Sequence, residues 1–196
     1  MRIITGRAKG LKLKTPAGLS TRPTSDRIKE SLFSILSGLI DFAAVGTVLD
    51  IFAGTGALGL ETISRGAHAA TFIDTATTDI IRDNATRAKF IDSCKILRGD
   101  FMKILPRLSR QGAQFDLIFS DPPYATGLAQ RSLNLVAELN LLTAGGLIVI
   151  EHGAEEILTD LPPSLSLVRE MTYGHTTAIK IFGRDTGQGT QDKFCG

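Results

Sequence analysis

The stretch Asp121-Pro122-Pro123-Tyr124 combines the groups that can hold a planar amine. The side chain of Asp121 and the carbonyl of Pro122 are hydrogen-bond acceptors, and Tyr124 offers an aromatic face. Proline lacks an N–H group and restricts φ, so two successive prolines cannot continue a central strand and instead form a stiff loop. These properties predict a loop that binds a flat ring carrying an exocyclic amine.

The chemistry expected at this loop is transfer of a group to that amine. An exocyclic amine of a nucleobase is a poor nucleophile because its lone pair is delocalised into the ring. Asp121 and the Pro122 carbonyl can accept its two hydrogens and turn the lone pair toward an electrophile, while Pro123 stiffens the loop. Tyr124 can stack on the base for about 1–3 kcal/mol, which offsets part of the cost of removing the base from its stack. Catalysis then rests on alignment, and we predict neither a metal nor a covalent nucleophile.

A glycine-rich turn lies at residues 50–59, Asp-Ile-Phe-Ala-Gly-Thr-Gly-Ala-Leu-Gly. Gly54, Gly56 and Gly59 satisfy the pattern G-x-G-x-x-G, which lets a ligand approach a helix N-terminus closely. The pattern alone fits a nicotinamide dinucleotide, S-adenosylmethionine (SAM) or a tight turn without a ligand. Asp50 favours SAM, because a carboxylate at the strand end can receive the ligand's ammonium group but would repel a pyrophosphate.

Acids also follow the next two predicted strands. Asp74 ends the second strand, where a carboxylate accepts hydrogen bonds from ribose hydroxyls. Asp100 follows the third strand and can either meet an adenine amine or cap the next helix, while Phe101 can cover the adenine ring. The predicted cofactor residues are Asp50, Phe52, Ala53, Gly54, Thr55, Gly56, Gly59, Asp74, Gly99, Asp100 and Phe101.

Alternating strand and helix patterns begin at residue 47 and predict a doubly wound α/β fold with a mostly parallel sheet. A terminal antiparallel hairpin follows at 166–172 and 176–182. With strand order 3-2-1-4-5, the glycine turn and the prolyl loop are expected at neighbouring strand ends. The predicted strands are 47–51, 70–74, 95–98, 115–120 and 146–151, and the predicted helices are 57–65, 76–90, 101–109, 128–141 and 154–159.

Length and composition predict a soluble protein with one domain and terminal appendages. The 196 residues are 43% hydrophobic and 21% charged, and no apolar run reaches the roughly 18 residues that span a membrane. The N-terminus lacks the apolar region of a secretory signal and there are only two cysteines, so we expect a cytoplasmic protein without a zinc site. We divide the chain into a basic arm and helix (1–40), the main domain (41–183) and a disordered tail (184–196).

Basic charge is concentrated at the start of the chain. Residues 1–30 carry eight basic and two acidic side chains, although the whole chain has a net charge of only +2. Such an arm fits contact with nucleic-acid phosphates, and it equally fits a solvated, lysine-rich edge. A helix follows, in which Thr24 or Ser25 is expected at the N-cap. The predicted substrate-contacting residues are Arg7, Lys9, Arg22, Thr24 and Arg27, for the last three of which capping and solvation are equally good explanations.

The three histidines are weaker candidates. His68 follows the first helix of the sheet domain and is expected at the surface. His152 ends the fifth strand, where a structural role is favoured over a place in the active site. His175 lies in the turn of the terminal hairpin and is expected in solvent.

Taken together, the glycine turn, Asp74, Gly99-Asp100 and the prolyl loop resemble the class I SAM-dependent amino-methyltransferases. Further segments, over residues 1 to about 183, are similar to the bacterial ribosomal small-subunit methyltransferase D family, which methylates guanine N2 in 16S ribosomal RNA. The segments are Met1 to Gly6, Arg22-Pro23-Thr24, Asp26-Arg27, Glu30 to Phe33, Gly56 to Glu61, Ser64 to Ala67, Glu151-His152 and Tyr173-Gly174.

The resemblance implies a seven-stranded sheet whose seventh strand is antiparallel. It also implies SAM contacts for Asp50, Gly54, Gly56, Asp74 and Asp100, the target guanine at residues 121–124, and 16S rRNA in an assembling 30S particle as the partner. Two departures stand out: the acid after the second strand is often Glu in such proteins but is Asp74 here, and the tail after Arg184 has no counterpart.

Three alternatives stay open on the residues alone. A DNA adenine-N6 methyltransferase can use the same prolyl loop, although the chain has little room for a sequence-reading domain. A nicotinamide oxidoreductase can use the glycine turn, although Asp50 argues against it. A non-catalytic RNA-binding domain needs neither Asp121 nor an intact glycine turn.

Overall fold

The computed structural model describes residues 1–16 and 23–184, except for the side chains of residues 23–25. The five α-helices in this part of the chain are α1 (Pro23–Leu39), α2 (Ala57–Arg65), α3 (Thr78–Arg87), α4 (Phe101–Arg110) and α5 (Leu128–Glu138). The strands are β1 (Thr47–Ile51), β2 (Ala69–Asp74), β3 (Cys94–Arg98), β4 (Phe115–Ser120), β5 (Leu142–Gly153), β6 (Leu165–Tyr173) and β7 (Thr177–Arg184).

The seven strands form one sheet in the order β3-β2-β1-β4-β5-β7-β6. β1, β2 and β3 pair in parallel, as do β4 and β5, whereas β7 is antiparallel to both β5 and β6. The predicted α/β class, the order 3-2-1-4-5 and the terminal antiparallel hairpin are therefore confirmed. A separate basic N-terminal extension is not confirmed.

The chain divides into two compact units, Met1–Phe101 and Met102–Gly196. The predicted division at residues 40/41 stays a prediction. In the first unit, the side chains of β1 and β2 are mostly buried, as expected for central parallel strands covered on both faces. Leu49, Ile51, Phe72 and Ile73 are at most 1% exposed and form the core together with Leu60 of α2.

The N-terminal arm (residues 1–16) packs against the first unit through the buried carboxylate of Glu61 in α2. Glu61 is 0% exposed. Its two oxygens accept hydrogen bonds from the backbone N–H groups of Ile4 (2.7 Å) and Thr5 (3.0 Å). Lys29 of α1 lies 3.4 Å from the same carboxylate, and the Arg65 guanidinium donates to it over 2.9 Å. The carboxylate therefore joins the arm to two helices.

The next turn of the arm lies on the end of α2. Gly6 has φ 84°, and a Cβ built on it would lie 1.8 Å from the carbonyl oxygen of Ser64, so only glycine fits. The N–H of Arg7 donates to the same carbonyl over 2.8 Å. The Ser64 hydroxyl donates to the Thr5 carbonyl (2.6 Å) and accepts from the N–H of Ala8 (3.0 Å). Backbone pairing thus fixes the path of the arm.

The second unit is built on β5, whose neighbours are β4 on one side and β7 on the other. Leu147, Ile148, Val149 and Ile150 are at most 3% exposed. The hydroxyls of Ser120, at the end of β4, and Ser132 of α5 lie 2.7 Å apart and are both buried. This contact joins α5 to the strand that precedes the prolyl loop.

The structure departs from the predicted elements in several places. Residues 154–159 form no helix: the N–H of Ala154 donates to the Thr176 carbonyl and that of Glu156 to the Gly153 carbonyl. Six residues ahead of a Pro-Pro pair are too few for a stable helix. β5 also begins earlier than predicted, at Leu142. Arg184 belongs to β7 and donates to the Leu142 carbonyl, and the rest of the predicted tail, 185–196, lies outside the described residues.

We predict that replacing Glu61 by Ala lowers the free energy of unfolding by about 3–5 kcal/mol, because Lys29 then keeps a buried charge without its carboxylate. Urea unfolding followed by circular dichroism measures this change. Glu138→Ala, at an exposed position at the end of α5, is the matched control and should change stability by less than about 0.5 kcal/mol. Equal stability of the two variants would contradict the assigned role of Glu61.

Candidate active site

The glycine turn after β1 departs sharply from regular backbone. Phe52 has φ 61°, a left-handed value that costs a non-glycine residue of the order of 1–3 kcal/mol. Gly54 and Gly56 have φ values of 55° and 77°, and Gly56 is the N-cap of α2. The N–H of Ala53 donates to the Ile73 carbonyl over 3.0 Å, which ties the turn to β2. The turn is therefore built and held locally, as the motif predicts.

Asp50 holds the first turn of α2. It is 2% exposed, and its Oδ2 accepts a hydrogen bond of 2.9 Å from the N–H of Gly59. That N–H belongs to the first turn of the helix, where backbone donors lack intrahelical partners. A Cβ on Gly59 would lie 2.4 Å from the Phe72 ring, so glycine alone permits this approach.

Burial strongly affects the ionisation of Asp50. Burial raises the pKa of Asp50 to about 7, against the opposing hydrogen bond from Gly59, and the negative charge of Asp74 adds to the rise. The sequence predicted a carboxylate that receives an ammonium group. The structure adds a helix-capping contact that the spacing of nine residues does not reveal.

Asp74 has the opposite environment, with three backbone donors around its carboxylate. Its Oδ2 accepts from the N–H of Gly54 over 2.9 Å, and its Oδ1 accepts from those of Ala76 (2.8 Å) and Thr77 (2.9 Å). Partial burial acts to raise the pKa of Asp74, but these donors outweigh it and the pKa lies below its usual range.

Asn84 of α3 is a residue that sequence reasoning missed. It is 0% exposed. Its Nδ2 donates to the carbonyls of Thr55 and Lys14, both at 3.0 Å, and its Oδ1 accepts from the N–H of Lys14 over 2.7 Å. One amide therefore binds the arm and the glycine turn together. A polar residue on the inner face of a helix was the only available signal.

The end of β3 adds Gly99, Asp100 and Phe101. Gly99 donates from its N–H to the Asp74 carbonyl over 3.0 Å, and Asp100 is exposed directly before α4. Phe101 is 5% exposed, and its ring centroid lies 4.9 Å from that of Phe52. Phe52 is the more accessible of the two rings, so it offers more surface to a ligand than Phe101 does.

The prolyl loop presents three of its four residues to solvent. Asp121, Pro123 and Tyr124 are exposed, whereas Pro122 is buried. The hydroxyl of Thr126 donates to the Pro123 carbonyl over 2.6 Å. The loop then passes through positive φ values at Ala125 (59°) and at Gly127, which is the N-cap of α5. Thr126 was not predicted, although a hydroxyl three residues after a carbonyl commonly closes such a turn.

The Tyr124 side chain is held by two strands of the second unit. Its hydroxyl donates to Glu151 Oε1 over 2.6 Å and lies 3.0 Å from Thr177 Oγ1. Burial raises the pKa of Tyr124, and donation to Glu151 raises it further. Burial also raises the pKa of Glu151, against the hydrogen bond that it receives. Sequence reasoning assigned no role to Glu151 or Thr177, because neither lies near the loop in the chain.

The predicted substrate residues are distributed over the arm and α1. Arg7 and Lys9 are exposed on the arm, and Arg27 is exposed on α1. Arg7 Nη2 also donates to the Ile63 carbonyl over 3.1 Å, and its guanidinium lies 5.0 Å from the centre of the Phe90 ring. Arg22 and the side chain of Thr24 lie outside the described residues. The helix α1 begins at Pro23, so Thr24 and Ser25 lie inside it. The prediction that one of them is the N-cap is therefore wrong.

His152 is the one histidine that is buried, at 2% exposure. Its Nδ1 lies 2.9 Å from the Gly153 carbonyl, and its Nε2 has no hydrogen-bond partner within the described residues. His68 and His175 are exposed, as predicted. Over residues 1–16 and 23–184, no cluster of His, Cys, Asp and Glu is arranged to hold a metal ion. No described helix is both long and apolar enough to cross a membrane.

Comparison with solved structures places the fold among the methyltransferases. An O-methyltransferase from Bacillus cereus, solved in complex with SAH, superposes with a TM-score of 0.63 over 86% of this chain and 84% of that chain, at 16% identity. Much closer is the structure of yhhF from Escherichia coli, with a TM-score of 0.81 and 34% identity over 95% of this chain and 98% of that chain.

Sequence comparison defines the family within this class. Residues 1–182 match the family described as "Conserved hypothetical protein 95". The chain is 35% identical over 194 residues to "Ribosomal RNA small subunit methyltransferase D" of Escherichia coli K12, covering 98% of this chain and 93% of that protein. The chain therefore belongs to the methyltransferase D family, as its motifs predicted.

The ionisation of Asp50 predicts how stability depends on pH. Its pKa is about 7 in the folded protein and near 3.8 when unfolded, so the folded form binds the proton more tightly. The contribution of Asp50 to the free energy of unfolding is complete below pH 4 and is lost as the pH rises to about 7. Asp50→Asn keeps an oxygen acceptor for Gly59 and removes this titration.

We therefore expect Asp50→Asn to gain stability relative to the unmodified protein by about 2–3 kcal/mol between pH 5 and pH 7. Urea unfolding at pH 5, 6, 7 and 8, without ligand, measures the difference. Asp92→Asn, at an exposed site, controls for the loss of one charge and should show a difference that is flat with pH. A flat difference for Asp50→Asn would mean that Asp50 titrates normally.

Proposed function

We propose that this protein transfers a methyl group from SAM to the exocyclic N2 of a guanine in 16S ribosomal RNA. The observation that carries the proposal is the prolyl loop, in which an exposed carboxylate and an exposed aromatic ring lie on either side of two prolines. The family supports the reaction class, since a relative over nearly the whole chain is named a small-subunit rRNA methyltransferase.

The first unit fits SAM by the chemistry of its groups. The glycine turn exposes backbone near the N-terminus of α2, and a Cβ at Gly54 would meet nothing closer than 3.9 Å. We assign Asp50 to the ligand's ammonium group, Asp74 to a ribose hydroxyl, and Phe52 and Asp100 to the adenine. Bound SAM supplies an electrophilic methyl group on a sulfonium centre.

The second unit supplies the groups that orient the nucleophile. Asp121 and the Pro122 carbonyl accept the two amine hydrogens, which directs the nitrogen lone pair toward the methyl carbon. Bound SAM would supply the methyl carbon to this nitrogen with S-adenosylhomocysteine as the leaving group, and the methylated amine would lose one proton to water. Pro123 keeps the loop stiff, and Tyr124 stacks on the flipped base. Alignment supplies the rate enhancement.

The arm and α1 are proposed to contact rRNA phosphates. Lys9 and Arg27 are exposed. Arg7 is exposed too, although its guanidinium donates one hydrogen bond to the Ile63 carbonyl. The pairing of the arm with Glu61 and Ser64 gives these cations a defined location, which suits a fixed footprint on folded RNA better than a loose tail does. The partner is 16S rRNA, within an assembling 30S particle.

Replacing Asp121 by Ala should lower the rate of methyl transfer by about 100-fold or more, because the amine loses the acceptor that aligns it. SAM affinity measured by calorimetry should stay within about twofold, since the cofactor residues lie in the first unit. Asp160→Ala, an exposed acid elsewhere in the second unit, is the matched control and should keep full activity. Full activity of Asp121→Ala would contradict the assignment of the loop.

The same assay separates the competing functions. Methyl incorporation is compared on assembling 30S particles, naked 16S rRNA and DNA, followed by mass analysis of the modified nucleoside. N2-methylguanosine in rRNA is the expected product, whereas N6-methyladenine in DNA would support the adenine methyltransferase. Calorimetry with SAM and with NAD tests the oxidoreductase, and failure to bind SAM would contradict the proposal.

Replacing Lys9 and Arg27 together by Ala should weaken rRNA binding and lower its salt dependence. The slope of log K against log salt concentration should fall by about 1 for each lost phosphate contact. Filter binding at several salt concentrations measures this slope. The pair Lys95→Ala and Lys103→Ala removes the same charge from exposed sites on β3 and α4 and should leave the slope unchanged. Equal slopes for the two double variants would exclude phosphate contacts by Lys9 and Arg27.

A further inference from the structure

The hydroxyl of Tyr124 belongs to a hydrogen-bonded chain with a defined direction. A carboxylate can only accept, so Tyr124 donates its single hydrogen to Glu151 Oε1 over 2.6 Å. The same hydroxyl can then only accept from Thr177, whose Oγ1 lies 3.0 Å away. Thr177 therefore donates to Tyr124, and Tyr124 donates to Glu151.

The strands β5 and β7 supply this chain from one face of the sheet. Gly153 of β5 pairs with Thr177 of β7, and Glu151 lies two residues before Gly153 on the same strand. Residues two apart on a strand point to one face, and paired residues share that face. Gly153 presents no side chain there, and a Cβ on it would lie only 3.6 Å from the Cβ of Tyr124. Tyr124 thus rests against two paired strands.

The loop has few other means of holding the ring. Its two prolines lack N–H donors, and the hydrogen bond from Thr126 reaches the backbone of Pro123 rather than the tyrosine. Tyr124 is 39% exposed, so one part of its surface contacts the protein and another is open. The hydroxyl contacts set which part is open.

We propose that Glu151, assisted by Thr177, is a positioning residue that holds the Tyr124 ring in the orientation on which the target base stacks. This inference rests on the proposed function of the prolyl loop. Glu151 acts through Tyr124 and does not itself contact the base or exchange a proton with it. Burial and the hydrogen bond raise the pKa of Tyr124, so the phenol keeps its proton at neutral pH and continues to donate.

Tyrosine fluorescence tests the contact without any activity measurement. The chain has two tyrosines and no tryptophan, so Tyr173→Phe leaves Tyr124 as the single emitter. Donation to a carboxylate quenches tyrosine emission. Adding Glu151→Gln to this background should therefore raise the emission at pH 7 at least twofold, whereas Glu155→Gln, at an exposed position, should not change it. Unchanged emission in Glu151→Gln would overturn the proposal.

Kinetics then test whether Glu151 acts through the ring. Single-substitution proteins Glu151→Gln and Tyr124→Phe should each lose about tenfold in kcat/KM for rRNA, mainly through KM, with SAM affinity unchanged. The double variant should lose no more than Tyr124→Phe alone, because the interaction is already absent. Additive losses, about 100-fold in the double variant, would mean that Glu151 acts on the substrate directly and would overturn the proposal.

Circular dichroism shows whether Glu151→Gln is folded. If it is not, substitutions of Thr177 test the same hydrogen-bonded chain independently. Thr177→Ser keeps the donating hydroxyl and should keep kcat/KM within about twofold, whereas Thr177→Val should raise KM. Equal kinetics for these two variants would exclude the part assigned to Thr177. If neither the unmodified protein nor any variant methylates RNA but Glu151→Gln still raises the emission, the proposed function is wrong and the Tyr124–Glu151 hydrogen bond is confirmed.

Discussion

Two carboxylates hold the backbone of the glycine turn, and the rest of the first unit depends on that contact. Asp50 accepts from the N–H of Gly59, and Asp74 accepts from the N–H of Gly54. Asp50 thereby connects β1 to the first turn of α2, where backbone donors have no helical partner, and Asp74 connects the end of β2 to the glycine turn. The strained φ of Phe52 is sustained because the residues on both sides are bonded in this way.

The same helix carries the arm, so the arm and the glycine turn both depend on α2. Glu61 of α2 accepts a hydrogen bond from the arm backbone. Asn84 connects the arm to the glycine turn a second time, because its side chain donates to the carbonyls of Lys14 and Thr55. Buried ion pairs contribute little net stability, but breaking one leaves an uncompensated charge. The main effect of the Lys29–Glu61 pair is thus to fix where the arm packs, and its net contribution to stability is small.

What the sequence predicted was set by local pattern, and what it missed was set by contacts between distant residues. The strands β1 and β4 and helix α2 lie where alternation and glycine spacing put them. By contrast, Tyr124 meets Glu151 and Thr177 across 27 and 53 residues, and periodicity carries no record of such pairings. The predicted helix at 154–159 failed for the same reason. Its N-terminal residue Ala154 bonds to Thr176 instead, a partner that only the antiparallel pairing of β5 and β7 brings near.

Three aspartates that look alike in the sequence differ because their surroundings differ. Asp50, Asp74 and Asp121 each stand at or near the end of a strand. Asp50 is buried beside one N–H donor, so burial outweighs hydrogen bonding and its proton is retained up to about pH 7. Asp74 is only partly buried and has three donors, so it stays ionised. Asp121 is exposed, where a carboxylate stays solvated until a ligand covers it. The depth of burial and the number of N–H donors, rather than the position along the strand, therefore set the opposite pKa shifts of Asp50 and Asp74.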